Sequence, residues 1–440
     1  MEKDLKIVIA GAGMGGLACA LALAKQGFTQ INIYETASNL GFVGAGIQLA
    51  PNMARILDRL GAWADIEKEA VELKETSIRQ GDENKELAHV DLRYIKKTYD
   101  YPHMVGHRTS LAGSLYEGCK KEKAVTFHFS EALEAVESFS PRPTIRIKPR
   151  NGEPYSVEAD VVLACDGVKS ITRDTILKEL KADARIEDTK QAAYRIMLKR
   201  EEMEHDPELL ELIDTDQVIR WIGEKKHIIA YPVSNKTIYN LSTAQPDKNF
   251  AAAPSATYTT KGSKSAMLDT FKDFCPMIQR MLNLVPDGEV CEWRLRVHSP
   301  MPTWVHGSIA LVGDACHPTL PHLAQGAAQA IEDAGVLGVV LARCPDKSPE
   351  SINKALKVYE HVRKDRAETL VELAAANGRD LHLGAGAAKE ERDKKFAALK
   401  KEQMGTVPDK WADADVQKMI YGHDCMKVAE DSFDELFAKM

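Results

Sequence analysis

LKIVIAGAGMGGLACALALAKQG, residues 5–27, followed by INIYE at 31–35, decides the fold. Residues 5–11 make an apolar strand, as a parallel strand buried on both faces should be. A glycine turn follows, then a helical run over 17–27 with Gly27 as its C-cap, then a second strand. Strand, turn, helix and strand within about thirty residues form the frame that a dinucleotide fingerprint requires. Inside it, Gly11-Ala12-Gly13-Met14-Gly15-Gly16 fits G-x-G-x-x-G. Gly11 allows the tight turn, Gly13 lets backbone approach a pyrophosphate, and Gly16 lets helix pack closely on strand. The helix N-terminus offers free N–H groups and the positive end of its dipole to phosphates. Glu35 closes the second strand about 20 residues on, where a carboxylate accepts from a ribose 2′-OH and repels a 2′-phosphate. The expected dinucleotide is therefore NAD or FAD, not NADP.

A second contact separates those two. Asp314 ends the apolar strand SIALVGDA (308–315) and is followed by Cys316-His317-Pro318 and PHLAQGAAQAIEDA. A carboxylate at a strand end, then a glycine and a helix start, lies far along the chain from Gly11. That suits a ligand whose ribityl chain and flavin ring run away from its adenine end.

Working outward, the 440 residues are 44% hydrophobic and 28% charged, close to the globular average. This excludes a collagenous, disordered or low-complexity chain, and the length allows two or three domains. Fifty-eight basic against 65 acidic residues give −7, which argues against a nucleic-acid-coating or membrane-surface protein. No segment has the roughly 18 uncharged apolar residues of a spanning helix. The N-terminus reads as strand and glycine loop, not as a signal peptide. Eight scattered cysteines without a CxxC pair read as reduced thiols of a cytoplasmic protein, with no metal site.

The expected fold is α/β, with four segments. Residues 1–184 form the first part of a Rossmann-like FAD-binding domain. Residues 185–295, with QVIRWIG, HIIAYPV and TIYNLST, form an inserted, mainly antiparallel substrate-binding sheet. Residues 296–350 return to the FAD domain, and 351–440 form a helical C-terminal region. VTFHFSEALEAVESF (125–139) and TIRIKP (144–149) suggest strands of a meander. The small, polar stretch AAAPSATYTTKGSKS (251–265) suggests a mobile loop or hairpin tip.

Three blocks carry a resemblance: GAGMGG with Glu35, CDGVKSITR (165–173), and LVGDACHPTLPHLAQGAAQAIEDA (311–334). GAGIQLAPN (44–52), HRTSL (107–111), HIIAYPV (227–233) and MIYGHD (419–424) extend it over nearly the whole chain. The sequence resembles the single-component aromatic-ring flavoprotein monooxygenases typified by salicylate hydroxylase. The resemblance implies tightly bound, non-covalent FAD and NADH or NADPH as co-substrate. Its implied cofactor-binding residues are Gly11, Gly13, Gly15, Gly16, Glu35, Gly46, Arg108, Asp166, Asp314, Gly326 and Ala327. Arg108 belongs near the isoalloxazine and ribityl end, Asp314 at the ribityl hydroxyls. Two residues depart from the family pattern: Cys165 where alanine is frequent, and Ala324 where many relatives have glycine.

In such enzymes reduced flavin and dioxygen form a C4a-hydroperoxide that an aromatic ring attacks best as a phenolate. The site then needs a proton acceptor and a water-poor pocket. Histidine is the natural base near neutral pH. His227 and His322 are the candidates, and Tyr231 and Pro321 complete the expected catalytic set. His227 also reads as an ordinary strand histidine. His317 is expected to shape the turn after Asp314. Gln48, Tyr194, Arg195, Trp221 and Tyr231 are candidates for the substrate pocket.

The expected activity is hydroxylation of a small phenolic acid with NAD(P)H and O2, with loss of CO2 to give a catechol or hydroquinone. Hydroxylation without decarboxylation (hydroxybenzoate or hydroxynicotinate type), a flavin oxidase or dehydrogenase, and a flavin-binding regulator are the alternatives. The expected partners are the aromatic acid, O2 and NAD(P)H, with no nucleic acid and no membrane, in a monomer or homodimer.

Overall fold

Strand Lys6–Ala10 lies inside a parallel sheet because both its faces are apolar; Ile7, Val8 and Ile9 are all fully buried. It pairs in parallel with Gln30–Glu35 on one side and Val161–Ala164 on the other. Val125–Phe129 extends the sheet beyond Gln30–Glu35, and Ile309–Leu311 with Val305–His306 extends it beyond Val161–Ala164. Only the terminal pair, Val305–His306 with Ile309–Leu311, is antiparallel. Helix Met14–Lys25 packs on both Arg108–Lys121 and Gly326–Arg343, joining segments from three parts of the chain into one core. The computed structural model describes residues 3–41, 45–184, 186–248, 259–402 and 408–440.

The meander expected over 125–149 is split. Val125–Phe129 belongs to the parallel sheet, where its partner is Ile31–Glu35. Glu131–Ser138 instead pairs antiparallel with Thr144–Pro149, which pairs with Tyr155–Glu158. Ser130, at a positive φ of 61°, sits at the junction and turns the chain from one sheet into the other.

The second large sheet has eight strands, in the order Thr259–Lys261, Cys291–His298, Ile186–Lys199, Ile238–Pro246, Lys226–Val233, Gln217–Gly223, Glu75–Gln80 and Glu86–Asp91. It takes two strands from well before residue 185, and Gln217–Gly223 lies parallel to Glu75–Gln80. Alternation decides which side chains reach which face. Tyr194 and Trp221 point to a face packed against helices Pro207–Asp214 and Pro276–Asn283. Their neighbours Arg195 and Arg220 point the other way, into a cavity. Residues 251–258 lie outside the described residues, while Thr259–Lys261 is a strand and Lys264–Thr270 a helix.

Helix Pro349–Leu381, about 50 Å long at 1.5 Å per residue, ties the two sheets together. Near its start Tyr359 donates its hydroxyl to the Leu311 carbonyl at 2.8 Å. At its end the His382 carbonyl accepts from the Lys225 N–H at 3.0 Å. The C-terminal region is therefore part of the frame around the cavity. Among the described residues, no helix is long and apolar enough to cross a membrane.

Candidate active site

A cavity of about 430 Å³ opens between the carboxyl ends of the parallel strands and the inner face of the eight-stranded sheet. Ligands of open α/β sheets bind at that end of the strands. Gly13 and Gly15 line it after the first strand, Cys165 and Gly167 after Val161–Ala164, and Asp314 after Ile309–Leu311.

The glycine turn is built for close approach. Gly11 has φ +100°, and a Cβ there would lie 2.5 Å from the Cys165 carbonyl oxygen. A Cβ on Gly16 would lie 2.0 Å from the Gly11 carbonyl oxygen. By contrast, a Cβ on Gly13 would meet nothing within 4 Å, so this backbone faces open space in front of a helix N-terminus with no side-chain cap. Glu35 accepts from the Ala12 and Ala37 N–H groups, each at 2.8 Å, which fixes its carboxylate beside the turn. These features fit the pyrophosphate and ribose of a dinucleotide.

Farther in, Arg108, Arg195 and Asp314 share the cavity wall. Burial pushes the Asp314 carboxyl up, against the pull of His317, Arg108 and Arg195. Arg195 stacks on Trp293 with 4.4 Å to the ring centroid, and burial together with Arg108 lowers its pKa to about 10. The Gly313–Asp314 turn is held from behind: the Asp333 carboxylate accepts from the Gly313 N–H at 2.9 Å and pairs with His317 at 2.6 Å and Arg363 at 2.9 Å. Cys316, His317 and Asp333 come within metal-ligating range of one another. These three bonds already occupy Asp333, however, and the Cys316 thiol donates to the Gly313 carbonyl.

The distal end is walled by Gln48, Arg220, His227, Ile229 and Tyr231. His227 Nδ1 lies 2.6 Å from His382 Nε2. Arg220 Nη1 pairs with Asp409 at 2.7 Å with both side chains buried, while its Nε has no partner among the described residues. The Gln48 side-chain oxygen lies 3.1 Å from His103 Nε2, and His103 Nδ1 lies 3.2 Å from the Tyr421 hydroxyl. Asn240 Oδ1 accepts from the Gly46 N–H at 2.7 Å, and its Nδ2 is unpartnered among the described residues.

Residues 4–374 match a family model described as an FAD binding domain. The chain belongs to this family. It is 29% identical over 438 residues to the FAD-dependent monooxygenase ntnJ of Nectria sp, covering 99% of this chain and 97% of that one. It is 32% identical over 359 residues to 3-hydroxybenzoate 6-hydroxylase 1 of Aquipseudomonas alcaligenes, covering 81% and 84%. A salicylate hydroxylase solved as a substrate complex has the same fold, with a TM-score of 0.78 at 22% identity over 100% of this chain and 99% of that one. The chain is an FAD-dependent monooxygenase.

Several residues expected at the monooxygenase site do line the cavity: Gly13, Gly15, Gly46, Arg108, Asp314, Gly326 and Ala327 toward the cofactor end, and Pro321, His227 and Tyr231 toward the distal end. Gly11, Gly16 and Glu35 support the turn from outside the lining. Asp166 lies outside the lining, its Oδ2 accepting from the Thr172 N–H at 3.1 Å and its Oδ1 unpartnered among the described residues. His322 is fully buried and outside the cavity lining, with both ring nitrogens unpartnered among the described residues. Tyr194 and Trp221 face the opposite side of their sheet, and Trp221 donates to Asn84 at 2.8 Å. Arg220, Asn240, His103, His382 and Asp409 were not singled out by sequence, and no local motif marks them. Only the strand parity that places Arg195 on the inner face gave a signal for Arg220.

Proposed function

We propose that this monooxygenase hydroxylates a small phenolic acid of the hydroxybenzoate class with NAD(P)H and O2, and that the hydroxyl replaces the carboxylate, which leaves as CO2. The observation that carries this reading is the distal wall. It places His227, Tyr231 and the buried Arg220 on a cavity that Arg195 also lines and whose only lining carboxylate, among the described residues, is Asp314. Such a wall attracts an anion and offers a base for a phenol.

Gly13, Gly15, Glu35, Arg108 and Asp314 would hold FAD, which supplies the reduction of dioxygen that puts one oxygen atom on the ring and releases the other as water. His227 accepts the phenol proton. Burial, with His382, His322 and Arg220 nearby, keeps this imidazole well below its usual pKa and therefore neutral, so a lone pair is available. Burial pushes the Tyr231 phenol up, so it stays protonated and donates a hydrogen bond. Arg220 and Arg195, which both line the cavity, hold the carboxylate.

The test is a panel of hydroxybenzoates and 6-hydroxynicotinate given to FAD-loaded protein, with NADH and NADPH oxidation, ring product and CO2 measured together. Substrate-stimulated oxidation with one CO2 per hydroxylated product supports the reading. Hydroxylation without CO2 assigns the enzyme to the hydroxybenzoate 6-hydroxylase type instead.

A further inference from the structure

His227, His322 and His382 come from three separate parts of the chain and meet behind the distal wall, with ring centroids 4.9–5.6 Å apart. His227 comes from strand Lys226–Val233 and His322 from the short turn Pro321–Leu323. His382 caps the C-terminus of helix Pro349–Leu381. The helix comes close enough only because residue 378 is glycine: a Cβ there would lie 2.6 Å from the His322 ring. The three rings are not equivalent. His227 lines the cavity, His322 makes no ring hydrogen bond among the described residues, and His382 is half-buried at the edge of the cluster.

We propose that His382 is the positioning residue for His227, fixing its tautomer and carrying its proton out of the cavity. This rests on the reading of His227 as the base for the phenol. The Nδ1–Nε2 separation of 2.6 Å joins two imidazoles by one proton, so one nitrogen must donate and the other accept. With Nδ1–H of His227 donating to His382 Nε2, the His227 Nε2 lone pair is left for the substrate, and His382 carries its own proton on Nδ1. The phenol O–H proton passes to His227 Nε2. The His227 Nδ1 proton passes to His382 Nε2, and the His382 Nδ1 proton passes to water. Each ring is neutral again afterwards, with its tautomer reversed, and a ring flip or a returning proton resets it.

The charged surroundings favour a neutral resting pair. His227 is faced by His382, His322 and Arg220, and His382 by Arg220 and Arg392. Arg220 is compensated by Asp409 and Arg392 by Asp393. Glu224 lies beside Gly384, just past the cap. Among the described residues no carboxylate bonds either ring of the pair, so a proton arriving on the pair is not trapped as an ion pair.

The test uses FAD-loaded full-length wild type, His227→Gln, His382→Ala and His382→Gln. Each is mixed by stopped flow with 3-hydroxy-4-nitrobenzoate, whose phenolate absorbs in the visible, across a pH series with and without added imidazole. The expected result is rapid ionisation of the bound probe by wild type and none by His227→Gln. The expected slowing in both His382 variants is at least about tenfold, with a changed pH profile and partial rescue of His382→Ala by imidazole. His382→Gln preserves a hydrogen bond to His227 and reads the proton transfer even if His382→Ala does not retain FAD. If both His382 variants ionise the probe at the wild-type rate and pH profile while His227→Gln does not, the role of His382 is overturned and the base survives. If wild type leaves the probe protonated, or His227→Gln ionises it normally, the base itself is overturned.

Discussion

Arg363 donates Nε to Asp333 at 2.9 Å with both side chains fully buried, and this pair stands directly behind the turn that presents Asp314. Although burial pushes the Asp333 carboxyl up, His317 and Arg363 hold it below the ordinary range. The ionised carboxylate can then accept from Gly313, His317 and Arg363 together. The charge network therefore connects helix Pro349–Leu381 to the cofactor end of the cavity.

Replacing Asp333 by Asn removes a charged acceptor and leaves Arg363 with Glu332 as its one carboxylate partner among the described residues, beside Gln329. The expected loss is roughly 3–5 kcal/mol, the range for breaking a buried pair, seen as a lower urea midpoint. FAD retention on a desalting column should fall as well, because the Gly313 N–H loses its anchor. Unchanged flavin content in a folded Asp333→Asn protein contradicts the assigned role.

Arg220→Gln removes a cation that lines the cavity. A lost charge-assisted hydrogen bond costs about 1.5–3 kcal/mol. KM for the phenolic acid should therefore rise by roughly 10–150-fold, while a neutral phenol of the same ring should be nearly unaffected. Steady-state kinetics on the two substrates check this, and equal effects on both assign Arg220 to structure alone.

Buried histidines set the acid limit. Burial lowers His103 and His322 to about 3 and His298, His382 and His423 to about 4. These values lie below the unfolded value near 6.5, so between about 4 and 6.5 the unfolded chain binds more protons. Their contribution to stability is complete above about 6.5. It falls as pH drops to about 4, by up to about 1.4 kcal/mol per pH unit for the deeply buried His103 and His322 and by less for the more exposed His298 and His423, whose charge solvent screens, and His103 and His322 go on losing it toward 3. Melting temperature against pH should be flat above 6.5 and steep below. His103→Gln should make the acid limb shallower.

Ala324 stands at φ +54°, the left-handed region. An L-residue with a Cβ costs roughly 1–2 kcal/mol there, partly offset by the freedom that glycine adds to the unfolded chain. Ala324→Gly should raise stability by less than about 1 kcal/mol in thermal unfolding. A destabilised variant contradicts this strain.

The cofactor half of the site was legible because backbone geometry writes itself into sequence. Gly11 and Gly16 leave no room for a Cβ, and Glu35 sits where the second strand must end. The family pattern that puts glycine at 324 reports the same constraint, a left-handed residue. The distal half was less legible. Which of His227 and His322 reaches the cavity depends on a turn packed against Gly378 of a helix more than fifty residues later. Arg220 and His382 are brought to the wall by strand parity and a helix end, and neither carries a local signature. Glu75–Gln80 joined the second sheet through a parallel pairing across well over a hundred residues, for which no short-range pattern exists.

The most direct test of the central claim is turnover of a hydroxybenzoate by FAD-loaded protein under 18O2, with the product read by mass spectrometry. One 18O atom in the new ring hydroxyl, with one NAD(P)H oxidised per product, is the predicted result. An oxidised product without label, or NAD(P)H oxidation that no phenolic acid stimulates, contradicts it.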